Sequence, residues 1–230
     1  MTLEYPAAVL WDLDGTLVDT EPYWMRAEEE LVSSFGGEWT HQDALVLVGS
    51  GLWVSAGVIQ SHGVELSTDA IVARLTDRVQ EQIEKYGVPW RSGAYELLED
   101  LKAHRIPTAL VTMSIKRMAE QIVSQIPFHA FDVLITGDLV DRPKPDPEAY
   151  RRAAELLGVD PAKTVAIEDS IAGLASAISA GTVALSVPHM VHVPEADTHT
   201  TWTTLSGRNA DDLARLLPIP AGSGPTSERP

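Results

Sequence analysis

The sequence predicts an α/β fold: a parallel sheet core with helices on both faces, interrupted by an inserted all-helical segment. Three observations predict it. Five short apolar runs, at 7–11, 108–112, 133–136, 164–167 and 182–187, read as buried strands. Helical patterns separate the last four runs, and strands alternating with helices imply parallel pairing through right-handed crossovers. Between the first run and the second lie about 95 residues, far more than a single crossover uses.

The elements follow in order. The run 7–11 is apolar throughout and forms the first strand. Helical periodicity then covers 22–35, 42–48, 52–61 and 69–86, punctuated by Gly36-Gly37, Gly49-Ser50-Gly51 and Gly63. These segments make a helical insert, 18–91, of which 88–92 leads back to a discontinuous core formed by 1–17 and 92–218. Ser92-Gly93-Ala94 opens a helix that runs to about Ala103, and 115–125 forms another. Asp146-Pro147 reads as an N-cap followed by proline at the first helical position, with Gly158 closing that helix. Ser170 caps the next helix and Gly181 ends it. The tail 219–230 is rich in Pro, Gly and Ser and is expected to be disordered.

Composition narrows the function. The chain has 230 residues and a net charge of −16, with its 17 Lys and Arg scattered, so no nucleic acid and no anionic membrane surface is expected as a partner. The longest apolar runs are far too short to cross a bilayer, and no export signal is visible at the N-terminus. There is no cysteine, which excludes disulfides and thiolate chemistry. A cytoplasmic monomer is expected.

The strongest chemical signal is Asp12-Leu13-Asp14-Gly15-Thr16, directly after the first strand. In an open α/β sheet, ligands bind beyond the carboxyl ends of the strands. Asp-Gly alone is a common turn with a solvated acid. Here, however, the fourth strand ends in Glu168-Asp169, the second in Thr112-Met113-Ser114, and Lys144 lies after the third. All these ends point the same way. Carboxylates gathered there repel one another unless a cation intervenes, and Mg²⁺ suits a few carboxylates, water and a phosphate. Lys144, Thr112 and Ser114 can hold phosphate oxygens, so an acidic chain can still receive an anionic substrate.

These segments resemble the four motifs of the haloacid dehalogenase-like superfamily: DLDGTLVDTE at 12–21, LVTMS at 110–114, Lys144-Pro145-Asp146, and IEDSIAG at 167–173. The helical insert resembles the cap of its β-phosphoglucomutase and sugar-phosphatase branch. The resemblance implies a Rossmann-like core and a phosphatase acting on a small phosphorylated metabolite such as a sugar or polyol phosphate. Asp12 would be the nucleophile and Asp14 the general acid and base. Asp12, Asp14 through its backbone carbonyl, and Asp169 would bind Mg²⁺, with Glu168 ligating through water or from behind. Thr112, Met113, Ser114 and Lys144 would hold the phosphoryl group. The alternatives are a phosphomutase of the same branch and, less well supported, a binding protein without activity. Trp24 stands where the mutases carry a His, and Glu21-Pro22-Tyr23-Trp24 resembles the hexose- and hexitol-phosphate phosphatases, although the Arg of their first cap loop is absent from 49–53.

Weaker signals remain. Trp24, Ser50 and Trp53 are candidates for substrate specificity, and the two tryptophans could equally pack within the insert. His189 and His192, with His199 nearby, could suggest zinc, but without cysteine or a fixed third ligand a polar surface loop is the simpler expectation. Glu28-Glu29-Glu30 is read as a solvated helix face.

Overall fold

The computed structural model describes residues 3–218, so the expectation for the tail 219–230 lies outside the described residues. Strands β1 (Ala8–Trp11), β2 (Thr108–Val111), β3 (Val133–Ile135), β4 (Thr164–Glu168), β5 (Val183–Ser186) and β6 (His199–Thr201) form one sheet in the order β3-β2-β1-β4-β5-β6. Every pairing is parallel, with Leu10 facing Ala109 on one side and Ala166 on the other. The chain therefore winds outward from β1 in both directions. The reversal falls between β1 and its neighbours, where such folds place their ligands.

Side chains alternate across the sheet, and the two faces are packed differently. Val9 and Trp11 of β1 join a large apolar cluster with Leu97, Leu101, Met118 and Ile122. Those residues come from α5 (Ala94–Ala103) and α6 (Lys116–Val123). Ala8 and Leu10 face the other way, onto α7 (Glu148–Leu157) and α8 (Ile171–Ala180). Alanines dominate that second interface: Ala109, Ala166 and Ala184 from strands meet Ala149, Ala153 and Ala177 from helices. Small residues on both partners let these helices lie close to the strand ends that carry the polar groups.

The long interval between β1 and β2 holds four helices: α1 (Glu21–Ser34), α2 (His41–Leu47), α3 (Leu52–Ser61) and α4 (Thr68–Tyr86). Helix α4 is amphipathic, burying Ile71, Val72, Leu75, Val79 and Ile83 against α1 and α3. The two linkers that join these helices to the sheet pair with each other. Arg91 N–H donates to Leu17 O at 3.0 Å and Asp19 N–H donates to Pro89 O at 2.7 Å. His189, from the loop after β5, bridges both linkers. It accepts from the Arg91 guanidinium at Nδ1 and donates from Nε2 to Asp19 at 2.7 Å. No described helix is long and apolar enough to cross a membrane.

The structure departs from the sequence expectation at two elements. β6 and a short helix, α9 (Ala210–Ala214), lay outside it. β6 has only three residues, exposed or half-exposed, so it carries no apolar run to read. At the start of α7 the expected cap forms: Asp146 Oδ1 accepts the Glu148 N–H at 3.0 Å, and Pro147 between them has helical φ −72° and ψ −3°.

Candidate active site

β1 delivers Asp12 to the carboxyl edge of the sheet, and β4 delivers Glu168 and Asp169 beside it. The Lys144 ammonium lies between the two strands. It donates to Asp12 Oδ1 at 2.7 Å, Glu168 Oε1 at 2.6 Å and the Val111 carbonyl at 2.9 Å, and sits 5.2 Å from the Tyr150 ring centroid. The Tyr150 hydroxyl donates to the same Glu168 oxygen at 2.6 Å. Burial alone would favour the neutral amine, but Asp12 and Glu168 outweigh it and hold the Lys144 pKa above its ordinary value. The Lys144–Pro145 peptide is cis.

Two glycines make room for this cluster. Gly15 has φ +86°, and a Cβ there would stand 2.1 Å from Asp169 Oδ2. A Cβ on Gly173 would stand 2.0 Å from the Glu168 carboxylate. Both sites admit only glycine: the first for its turn and its proximity, the second for proximity alone.

Asp14 leaves the turn on the side of the helical insert, half-buried. Four donors face its carboxylate. Thr20 Oγ1 and Trp24 Nε1, the latter at 3.0 Å, reach Oδ1 from the insert side. Ser114 Oγ at 2.6 Å and Thr112 Oγ1 at 3.4 Å reach Oδ2 from the end of β2. Thr20 is the N-cap residue of α1, yet its side chain makes no capping bond, because its hydroxyl is committed to Asp14. Met113, between Thr112 and Ser114, is buried, and its sulfur accepts the Lys144 N–H at 3.4 Å.

A cleft opens between the sheet edge and the insert. Asp12, Asp14, Met113, Ser114, Lys144, Asp169 and Ser170 line one wall. Trp24, Glu21, Glu28, Leu47, Ser50 and Ser55 stand among the residues of the other. The loop of Gly49, Ser50 and Gly51 reaches the core, with Gly49 against Ser170 and Gly51 against Pro143. Of the sequence-predicted site residues, Thr112 lies at the cleft's edge through its bond to Asp14, and Trp24 and Ser50 face the cleft directly. Trp53 does not. It lines a separate hollow with Pro143 and Asp138, and its indole N–H donates to Asp69 at 2.7 Å. The reason is helical phase: Leu52 and Ser55 of α3 face the cleft, and Trp53 points about 100° away from Leu52.

One expectation is overturned. Glu28 is not part of a solvated face: it is 6% exposed, whereas Glu29 and Glu30 are exposed. Its Oε2 and the nearby Trp39 Nε1 make no hydrogen bond of good geometry, although the Trp39 indole is close enough to act on the Glu28 carboxyl. Burial pushes the Glu28 carboxyl up to about 8, slightly offset by the Trp39 indole. Burial and then the neighbouring Asp14 and Glu28 push Glu21 to about 8 as well. The signal was in the spacing, since Glu21, Trp24 and Glu28 stand at i, i+3 and i+7 of one helix face with Ala27 and Leu31 beside them.

The acidic cluster fits a divalent cation. Asp12, Glu168 and Asp169 can each present an oxygen within 4.8 Å of the others, the one such group found among the described residues. Asp12 Oδ2 and Asp169 Oδ2 are buried without partners. Burial and the adjacent Glu168 push Asp12 up to about 7 against the pull of Lys144, and burial with Asp12 and Glu168 raises Asp169 well above the carboxylate range. Unpaired buried oxygens on strained carboxyls are what a hard cation would relieve. His189, His192 and His199 form no such group, and His189 is committed to Arg91 and Asp19.

With this geometry in hand, the comparisons are specific. A family model described as haloacid dehalogenase-like hydrolase matches residues 9–187. The phosphorylated carbohydrates phosphatase of Thermotoga maritima is 32% identical over 183 residues, covering 76% of this chain and 81% of that protein. The bifunctional riboflavin kinase/FMN phosphatase of Arabidopsis thaliana is 28% identical over 190 residues, 80% of this chain but 49% of that protein, so this chain spans about half its length. Among solved structures, a mutant CbbY from Rhodobacter sphaeroides in complex with xylulose-(1,5)bisphosphate matches with a TM-score of 0.83 at 26% identity, covering 90% of this chain and 99% of that one.

Proposed function

The chain belongs to the haloacid dehalogenase-like hydrolase family, and on that premise we propose that it is a Mg²⁺-dependent phosphatase acting on the monophosphate of a small sugar or polyol. The observation that carries the reading is the state of Asp12. One oxygen is fixed by Lys144, while the other is buried and has no partner, on a residue that lines the cleft. A carboxylate held by one oxygen and free at the other is oriented as a nucleophile.

The residues support a two-step displacement. In the first step the Asp12 carboxylate attacks phosphorus, the bond from phosphorus to the ester oxygen breaks, and Asp14 gives its proton to the departing oxygen. In the second step Asp14 takes a proton from water, the water oxygen attacks the same phosphorus, and inorganic phosphate leaves with Asp12 restored as carboxylate. Lys144, Ser114 and the backbone at Met113 line the wall where the phosphoryl oxygens must sit. Asp12 and Asp169, with Glu168 beside them, are the side chains that would hold Mg²⁺. When bound, the ion supplies positive charge that offsets the carboxylates and polarises the phosphoryl group.

Asp14 is positioned by both halves of the molecule, Thr20 and Trp24 on one side and Thr112 and Ser114 on the other. Moving the insert over the sheet edge therefore changes how many donors face the general acid, which suits the insert to act as a cap over the reaction. Phosphatase is favoured over mutase because the insert wall of the cleft carries Glu21 and Glu28 and no described Lys or Arg, so it lacks a grip for the second phosphate of a bisphosphate intermediate.

The test is a panel of phosphorylated metabolites with Mg²⁺, following inorganic phosphate. β-Glucose 1-phosphate with a trace of glucose 1,6-bisphosphate is included and glucose 6-phosphate is measured in parallel. Release of phosphate from a sugar or polyol monophosphate supports the reading. No release from any member, or glucose 6-phosphate forming much faster than phosphate, overturns it.

A further inference from the structure

The phosphatase reading leaves Glu28 without a task. It neither touches the reacting atoms nor pairs with any basic residue, yet it is buried, with only the Trp39 indole close to it as a donor and no bond of good geometry at Oε2, and it is part of the cleft wall. A buried polar group without a partner destabilises a fold, and glutamine or leucine would serve packing better. Its position supplies the task. Asp14 must touch the oxygen that links phosphorus to the leaving group. Trp24 touches Asp14, and Glu28 stands one helical turn beyond Trp24 on the same face. That turn places Glu28 on the leaving-group side of the cleft, away from the phosphate side.

Resting on the phosphatase reading, we propose that Glu28 is the specificity residue for the leaving group, hydrogen-bonding a hydroxyl of an uncharged polyol or sugar and excluding substrates with a second anionic group. Three features support this. The remaining wall is small or apolar, with Ser50, Ser55, Met25 and Leu47 around it, so Glu28 and Glu21 are its strong polar groups. Lys144 is the one described basic side chain lining the cleft, and it is already bound to Asp12, Glu168 and a carbonyl. A second phosphate or carboxylate would find no free cation among the described lining residues to offset its desolvation. Finally, with its carboxyl pushed up to about 8, Glu28 near neutrality carries a proton, so it can donate to and accept from the same hydroxyl.

The experiment measures kcat/KM for sorbitol 6-phosphate, fructose 1-phosphate, fructose 1,6-bisphosphate and p-nitrophenyl phosphate, in wild type, Glu28→Gln and Glu28→Ala, with thermal melts on all three. The wild type should prefer a monophosphate over the bisphosphate by at least about tenfold. The ratio of its best polyol or sugar substrate to p-nitrophenyl phosphate should fall by about tenfold or more in Glu28→Ala, and by less in Glu28→Gln, which keeps a donor and an acceptor. An unmoved ratio in Glu28→Ala overturns the role of Glu28 while leaving the proposed function intact, whereas a wild type that prefers the bisphosphate or hydrolyses only the aryl ester overturns the role of Glu28 and the sugar or polyol monophosphate as substrate together. A wild type inactive on every substrate sinks the phosphatase reading itself. The wild-type comparison of mono- and bisphosphate decides the matter even if both variants fail to fold.

Discussion

The Trp24 indole N–H donates to Asp14 Oδ1 at 3.0 Å, so the helical insert directly grips the residue proposed as general acid. Sequence alone offered Trp24 as a substrate contact or as packing; the structure gives it a third role, positioning Asp14. Trp24→Phe keeps a ring and removes the donor. Losing one of the four donors should cost about 1 kcal/mol and lower turnover of an alkyl phosphate roughly 3–10-fold. An aryl phosphate needs little protonation of its leaving group and should lose less. Equal losses on both esters in single-turnover measurements would show that Trp24 does not act through Asp14.

Lys144 is the cation of a buried triad with Asp12 and Glu168. Lys144→Met keeps most of the volume but leaves two buried carboxylates facing each other. Removing one partner of a buried pair costs about 3–5 kcal/mol, and in a chain of this size that lowers Tm by roughly 6–20 °C. A metal-free melt checks it: a Tm within about 2 °C of wild type would mean the carboxylates are not ionised together, contrary to the ion pairs described.

Much of this site was legible because its residues sit at strand ends, and strand ends follow from apolar runs. β1, β2 and β4 lie within one residue of expectation, which brought Asp12, Thr112 and Asp169 to one edge. Lys144 could be assigned only through its order after β3 and its motif. The insert was less legible. Its four helices were located closely from glycine punctuation, but what each residue faces depends on how helices pack, which periodicity within one helix does not specify. Trp53 and Glu28 illustrate this: an aromatic offered either as a substrate contact or as packing lies outside the cleft, and an acid expected in solvent lines it.

Glu28 also predicts a pH dependence of stability. Its folded pKa, about 8, lies above the ordinary 4.5. Below 4.5 the carboxyl is protonated in both states and nothing is lost. As pH rises toward about 8 the unfolded chain ionises first, so the folded state loses stability across that window. Glu21, also raised to about 8, adds to the same slope. Wild-type Tm should therefore fall between pH 5 and 8.5, and Glu28→Gln should flatten the fall, standing about 3 °C or more above wild type at the alkaline end. Parallel curves for the two proteins would remove Glu28 as the cause.

The acidic cluster proposed to hold Mg²⁺ makes the sharpest prediction because it can be read without substrate. Asp12 Oδ2 and Asp169 Oδ2 are buried and unpaired, and burial holds both carboxyls above their ordinary range, Asp12 at about 7. Mg²⁺ takes ionised oxygens, so binding must displace those protons, and its affinity should rise with pH through the Asp12 titration. In EDTA-treated protein, millimolar Mg²⁺ should raise Tm, by more at pH 8 than at pH 5.5. Asp169→Asn removes one ligand charge but keeps the shape, and should abolish most of that shift. Asp12→Asn should do the same and also lower turnover by at least ~10³-fold, because it removes the nucleophile as well as the ligand charge. The two variants thus separate binding from chemistry. Asp169→Asn should recover activity as Mg²⁺ is raised, whereas no concentration should rescue Asp12→Asn. A Tm of wild type that does not respond to Mg²⁺ at either pH would rule the cluster out as a magnesium site, and full activity in EDTA would rule out the metal-dependent mechanism with it.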